Sequence, residues 1–256
     1  MRIGFCAPWE KAALVADAGF DYIEPAVVAG LQPERDWAET TFSQLEAPIK
    51  AEAFMGFLPG DLKVVGPEID DQRIKSYLEI AFQRLAKVGA KVVVFGSAGA
   101  RRVPDGWSMV DARTQILDFL KLCAPIAATS GVTLAIEPLG SAECNIIISV
   151  AEAMEYVNAV ESPSIQVLSD LFHVDSDQQS HLETRDAGSA LRHVHVAGGV
   201  GRRVPTNDDV DYLAAYFGIL KQAGYDGRIS VEARTVDMER EAPIAAEVLR
   251  KAWELA

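Results

Sequence analysis

Cysteine is scarce in this sequence and carries no pairing motif. Cys6, Cys123 and Cys144 are an odd, scattered set without a CxxC spacing, which argues against a disulfide frame and for reduced thiols in a cytoplasmic protein. Long apolar runs are missing too. No stretch reaches the roughly 18 uninterrupted apolar residues of a membrane helix, and MRIGFCAPWE holds no apolar segment leading to a small-residue cleavage site. The expectation is a soluble, untargeted protein with no membrane partner. Positive charge is in deficit: 24 Lys and Arg face 37 Asp and Glu, a formal net charge of −13. Such a field repels phosphate backbones, so nucleic acid is a poor partner, whereas a buried cation is compatible with it. No GxGxxG joins the first strand to the first helix, which argues against a doubly wound open sheet.

What is present is an ordinary soluble composition, 49% apolar and 24% charged, arranged in a repeating unit. An amphipathic helix, a glycine and a short apolar strand recur in AALVADAG-FDYIEP, AFQRLAKVG-AKVVVFG, APIAATSG-VTLAIEP and YFGILKQAG-YDGRISVE. Gly19, Gly89, Gly131 and Gly224 stand where a helix C-terminus favours a left-handed residue. Ile74, Leu78, Ala81 and Leu85 form one helical stripe, and runs such as VVVF and TLAI suit parallel strands buried on both faces. The spacing predicts strands near 2–6, 21–25, 49–55, 91–96, 132–137, 165–170, 191–196 and 228–233. Helices are predicted near 9–18, 34–47, 70–88, 108–129, 149–159, 176–187, 208–223 and 240–255. Eight units of about 32 residues each match the size of a βαβ step. The expected fold is α/β, a (β/α)8 TIM barrel forming a single domain over residues 1–256.

Barrel enzymes carry their sites at the C-terminal ends of the strands. From the fifth strand onward those ends read LAIE, QVLSD, HVH and ISVE, finishing on Glu137, Asp170, His195 and Glu232. Strand alternation puts Ala135, Leu168, His193 and Ser230 on the same inward face, one layer below. Three carboxylates gathered at one mouth repel one another unless a cation lies between them. The set of three oxygens and one nitrogen suits Mn²⁺ first, with Mg²⁺ or Co²⁺ as alternatives, over a thiolate-seeking metal. The competing reading has each acid separately capping the next helix or pairing with an arginine; four such coincidences in consecutive strands are the weaker account.

These motifs resemble the sugar phosphate isomerase/epimerase superfamily, the xylose isomerase-like TIM barrels, and most of all its ketose 3-epimerase and hydroxypyruvate isomerase branch. The resemblance spans the chain and is densest between Glu137 and Glu232. It implies one divalent metal ion on Glu137, Asp170, His195 and Glu232, with Glu137 and Glu232 as the catalytic acid/base pair. Within IEPLGSAECN, Glu143 matches a substrate-contacting glutamate. In DLFH, His173 matches a substrate contact, and in GRRVP, Arg202 matches a substrate-binding arginine. Relatives of this kind form homodimers or homotetramers. The chain departs from the branch at Gly140-Ser141, where Asn-Arg is usual, at Thr206, where glycine is common, and in a His195–Arg202 loop one residue longer than usual. These changes lie around the substrate rather than the metal.

The implied activity is interconversion of a ketose or small hydroxy-carbonyl compound through a metal-bound enediolate. Two glutamates on opposite faces favour epimerisation over isomerisation. A lyase on the same scaffold, inosose dehydratase-like or C-glycoside-cleaving, is the alternative. An endonuclease IV-like hydrolase is disfavoured by only four histidines and by the acidic charge, and a non-catalytic sugar sensor by the complete ligand set. Among the remaining residues, His193 reads as a satisfied buried histidine and His181 as solvated surface. Glu24 reads equally as a substrate contact or a helix cap, and Trp9 and Trp107 as sugar walls or packing. Arg101 and Arg102 read as a solvated loop, with neutralisation of an anionic substrate group as the second reading.

Overall fold

The computed structural model describes residues 1–36, 47–199 and 201–256. Eight strands run in chain order: β1 (Arg2–Cys6), β2 (Tyr22–Glu24), β3 (Ala53–Phe54), β4 (Val92–Phe95), β5 (Thr133–Ile136), β6 (Ile165–Asp170), β7 (Leu191–Val196) and β8 (Arg228–Val231). Every pairing is parallel, in the order β2-β1-β8-β7-β6-β5-β4-β3. Bridges from Ile23 to Ala51 and from Ala26 to Met55 draw the two end strands together. The sheet is therefore a nearly closed (β/α)8 barrel, as the sequence predicts.

Helices fill the connections: α1 (Ala12–Asp17), α2 (Asp71–Val88), a short α3 (Ala98–Arg101), α4 (Met109–Ser130), α5 (Val150–Val160), α6 (Leu171–Ser176), α7 (His181–Asp186), α8 (Val210–Gln222) and α9 (Met238–Leu255). Local chemistry sets their ends. The Asp70 side chain accepts the Arg73 N–H at 2.9 Å to start α2, and Gly89 ends it at φ 81°, a conformation that costs other residues strain. Ile74, Leu78, Ala81 and Leu85 are all buried. Ser108 and Ser149 cap α4 and α5 in the same way, each such cap contributing about 1 kcal/mol. Among the described residues no helix is long and apolar enough to cross a membrane.

Two expectations change. The helix expected near 176–187 is confined to α7, and the additional α6 precedes it, because Asp170 at the tip of β6 accepts the Phe172 N–H at 2.9 Å and starts a helix at once. Ser180 then caps a separate α7. Of the helix expected near 34–47, residues 34–36 and 47 are not helical and 37–46 are outside the described residues.

The core has two compartments. A large one lies between barrel and helices. A small one fills the barrel itself, formed by Tyr22, Ala53, Val92, Val94, Ala135 and Leu168. Tyr22 lies across this interior over Gly4, where a Cβ would meet its ring at 2.2 Å. Above these apolar layers the interior turns polar, with Glu24, His193, His195 and Ser230 all fully buried.

Candidate active site

The sheet register places four side chains at one end of the barrel. Asp170 is paired with His195 across β6 and β7, and His195 with Ser230 across β7 and β8. Glu137 and Glu232 stand one residue beyond β5 and β8, where their amides still bond back to the neighbouring strands: Glu137 to Phe95 O at 3.2 Å and Glu232 to Val196 O at 3.0 Å. One donor atom from each of Glu137, Asp170, His195 and Glu232 lies within 4.8 Å of the others. His195 Nδ1 is 2.9 Å from Glu232 Oε2 and 3.4 Å from Glu137 Oε1. Gly96, just past β4, leaves room for this: a Cβ there would sit 2.1 Å from Glu137 Oε2.

The set fits a hard divalent cation. His195 Nδ1 and Glu137 Oε1 are buried without a hydrogen-bond partner, a costly state for polar atoms that a ligated ion relieves. The electrostatics point the same way. Burial raises the Asp170 carboxyl to about 6, against the lowering effect of His173 and Arg202 and with the help of Glu232 and Glu137. For Glu232, burial is outweighed by the His195 imidazole and the Arg202 guanidinium, which bring it down to about 2. His195 is raised well above the usual imidazole range because Glu24, Cys6 and Glu232 overcome the effect of burial.

Around this centre lie the three residues matched to substrate contacts. Arg202 Nη2 reaches Asp170 Oδ2 at 2.9 Å and Glu232 Oε2 at 2.5 Å, while Nη1 is 3.7 Å from Glu143 Oε1. Its guanidinium covers the Phe172 ring at 4.9 Å. Arg202 holds a left-handed backbone, φ 54°, pinned by the Arg234 N–H on its carbonyl at 2.8 Å. His173 on α6 is buried, 3.5 Å from Asp170 Oδ2, and neither ring nitrogen has a hydrogen-bond partner. The Glu143 side chain is 47% exposed, so it sits at the rim.

Below the four, a layer that sequence reasoning weighed differently comes into view. Glu24 caps no helix with its side chain. Its Oε2 lies 2.7 Å from His193 Nε2 and 2.5 Å from Ser230 Oγ, and its Oε1 lies 3.0 Å from His195 Nε2. His193 is thereby the bonded buried histidine expected of it. Burial lowers the His193 imidazole, and the two histidines hold Glu24 well below the carboxylate range against the effect of its own burial. Alternation along HVH pointed His193 inward, but nothing local announces a partner 169 residues away.

Two other readings, of Arg101 and His181, are corrected, and the tryptophans take the packing alternative of their two readings. Arg101 is fully buried, donating to Phe95 O at 2.8 Å and Glu137 O at 2.6 Å, whereas Arg102 is exposed and bonds Glu143 O. His181 is half-buried, 2.6 Å from Asp175 Oδ1 and edge-on to Tyr216. Trp107 donates to Gln115 on α4 at 3.2 Å, and Trp9 packs on Phe54. The departures from the family pattern have structural partners. Ser141 bonds Asp177 through its amide at 2.7 Å and its hydroxyl at 2.9 Å, and Thr206 forms a reciprocal cap with Asp209.

Comparison with known proteins agrees with this fold. The chain is 26% identical over 179 residues to 3-dehydro-D-guloside 4-epimerase of Escherichia coli (strain K12), covering 66% of this chain and 68% of that protein. It is 26% identical over 226 residues to L-ribulose 3-epimerase of Methylomonas sp. (strain DH-1), covering 85% and 75%. Among solved structures, E. coli 3-keto-D-glucoside 4-epimerase superposes with a TM-score of 0.81 at 23% identity, covering 98% of this chain and 99% of that one. D-allulose 3-epimerase of Methylomonas sp. in complex with D-allulose gives 0.83 at 22% identity, covering 98% and 97%. Residues 12–252 match the family described as Xylose isomerase-like TIM barrel, and with the strand-end acids and histidine in place the chain belongs to that family.

Proposed function

We propose that this protein is a divalent-metal-dependent sugar epimerase or isomerase, with Mn²⁺ as its preferred ion, that inverts or transposes a centre next to a carbonyl. The single observation carrying this reading is the convergence of Glu137, Asp170, His195 and Glu232 on one point, with two of their buried atoms lacking partners. The named relatives act on keto sugars at the 3- or 4-carbon, and both reactions share the loss and return of a proton on a carbon beside a ketone.

When bound, the cation supplies Lewis-acid stabilisation of the enediolate charge that forms as that proton leaves. The protein supplies the rest. Glu137 and Glu232 reach the centre from β5 and β8, on two sides of the site. One, as a carboxylate, takes the proton and becomes a carboxylic acid, while the other, entering as the carboxylic acid, donates its own proton to the opposite face and is left as the carboxylate; general acid–base catalysis of this kind contributes about 10²–10⁴-fold. Arg202 and His173 hold substrate oxygens, the first as a fixed cation and the second through ring nitrogens that otherwise lack partners. Glu143 at the rim orients a hydroxyl.

The test is turnover of a panel of ketoses and 3-keto sugars in D₂O with added Mn²⁺. Deuterium is expected at the carbon next to the carbonyl in a product of unchanged chemical formula, and Glu137→Gln and Glu232→Gln are each expected to reduce the rate by about 10²-fold or more. No deuterium uptake across the panel removes the proton-transfer mechanism. A product lighter by water or an aglycone replaces it with the lyase.

A further inference from the structure

The buried carboxylate of Glu24 meets no solvent and has three neighbours within hydrogen-bonding distance: His193 Nε2, His195 Nε2 and Ser230 Oγ. An ionised carboxylate can only accept, so all three neighbours must donate. Ser230 then donates its hydrogen bond to Glu24 and accepts one from Tyr22, whose hydroxyl is 2.8 Å from Ser230 Oγ. The donors and acceptors of this layer are resolved without conflict in one direction only, from Tyr22 through Ser230 to Glu24, with both imidazoles bearing hydrogen on Nε2.

For His195 this has a consequence at its other nitrogen. With hydrogen on Nε2, a neutral ring presents a lone pair at Nδ1, toward Glu232 Oε2 at 2.9 Å and Glu137 Oε1 at 3.4 Å. Lone pairs on three atoms face one another there, which favours a cation between them. Left to those two glutamates, the ring would prefer hydrogen on Nδ1, donate it to Glu232 and close the site to an ion. The acceptor that opposes this lies on the far side of the ring, and it is Glu24.

We propose that Glu24 is a positioning residue that holds His195 in the Nε2–H form and so delivers Nδ1 to the metal. The proposal rests on the metal-dependent reading above. Outer carboxylates of this kind typically change metal affinity by about 10–100-fold.

The experiment measures Mn²⁺ affinity of metal-stripped full-length protein by calorimetry, together with circular dichroism and the histidine side-chain ¹H–¹⁵N spectrum of the Zn²⁺-loaded form. Glu24→Leu, which offers no acceptor, is expected to bind Mn²⁺ 10–100-fold more weakly. Glu24→Gln, whose one amide oxygen can face His195, is expected to fall between Glu24→Leu and wild type. In the wild type, the His195 ring proton is expected on Nε2, with His195 assigned by its loss in His195→Gln. A folded Glu24→Leu protein with wild-type Mn²⁺ affinity overturns the proposal. Should that variant not fold, the wild-type spectrum decides, and a His195 proton on Nδ1 overturns it equally. A wild-type protein that binds Mn²⁺ but turns over no sugar removes the activity and leaves the role of Glu24 standing. One that binds no Mn²⁺ removes the metal reading as well.

Discussion

At the scale of single residues, the site depends on who is small and who is buried. Gly96 has no side chain because Glu137 occupies the space one would need. Gly96→Ala is therefore expected to displace Glu137 and weaken Mn²⁺ binding by about tenfold or more, about 1.4 kcal/mol, with the circular dichroism spectrum unchanged. An unaltered Mn²⁺ titration would show that Glu137 does not hold the ion. The three acids and one histidine at the strand ends are readable because alternation within one strand is a local rule. The partners of Glu24 are not, because a period-two pattern says which face a residue takes and not what it meets across the barrel.

Between elements, a few polar side chains fix the strand ends against the helices. Arg101 on α3 binds the carbonyls of Phe95 and Glu137 and so couples the tips of β4 and β5. Arg101→Ala leaves a cavity and takes this donor from the Glu137 carbonyl, while Phe95 O keeps the Glu137 N–H, an expected loss of roughly 3–5 kcal/mol. That lowers the melting temperature by roughly 6–20 °C in a chain of this size, to be measured by calorimetry. A loss under 1 kcal/mol would contradict the bonding described. In sequence, GARR looked like solvated loop because two adjacent arginines give no sign that one is swallowed by the fold.

The start of α8 depends on Asp209, which takes both arms of Arg203 at 2.6 and 2.8 Å and the Thr206 amide at 2.7 Å. Although its partial burial raises the Asp209 carboxyl, the Arg203 and Thr206 bonds prevail and leave it lowered overall. A lowered folded-state value means stabilisation that is complete above the unfolded value near 3.9 and is lost as pH falls through the folded one. Asp209→Asn should thus cost about 1–3 kcal/mol at neutral pH, with the difference from wild type shrinking below about pH 4 in denaturant titrations. A deficit independent of pH would mean the charge of Asp209 plays no part.

Across the whole molecule, the barrel concentrates negative charge at one mouth of an already acidic protein, −13 overall. A ligand that binds only the folded state stabilises it by mass action, about 2.7 kcal/mol at one hundred times its dissociation constant. Metal-stripped protein is accordingly expected to melt roughly 5–11 °C higher once Mn²⁺ is supplied at that level. An unchanged melting temperature would contradict a site between those carboxylates. The repeating helix–glycine–strand unit determined the eightfold barrel on its own, since Gly19, Gly89, Gly131 and Gly224 all take the positive φ that ends each helix and the apolar runs between them can be buried on both faces only in a parallel sheet covered by helices. Sequence also determined which acids and histidine stand at the strand tips. Only the tertiary structure decided how those groups address one another: that Arg202 lies on Asp170 and Glu232, that Arg101 is interior, and that Glu24 sits between two histidines. Each of these depends on distances across the barrel, which arise from its closure and which no local pattern along the chain encodes.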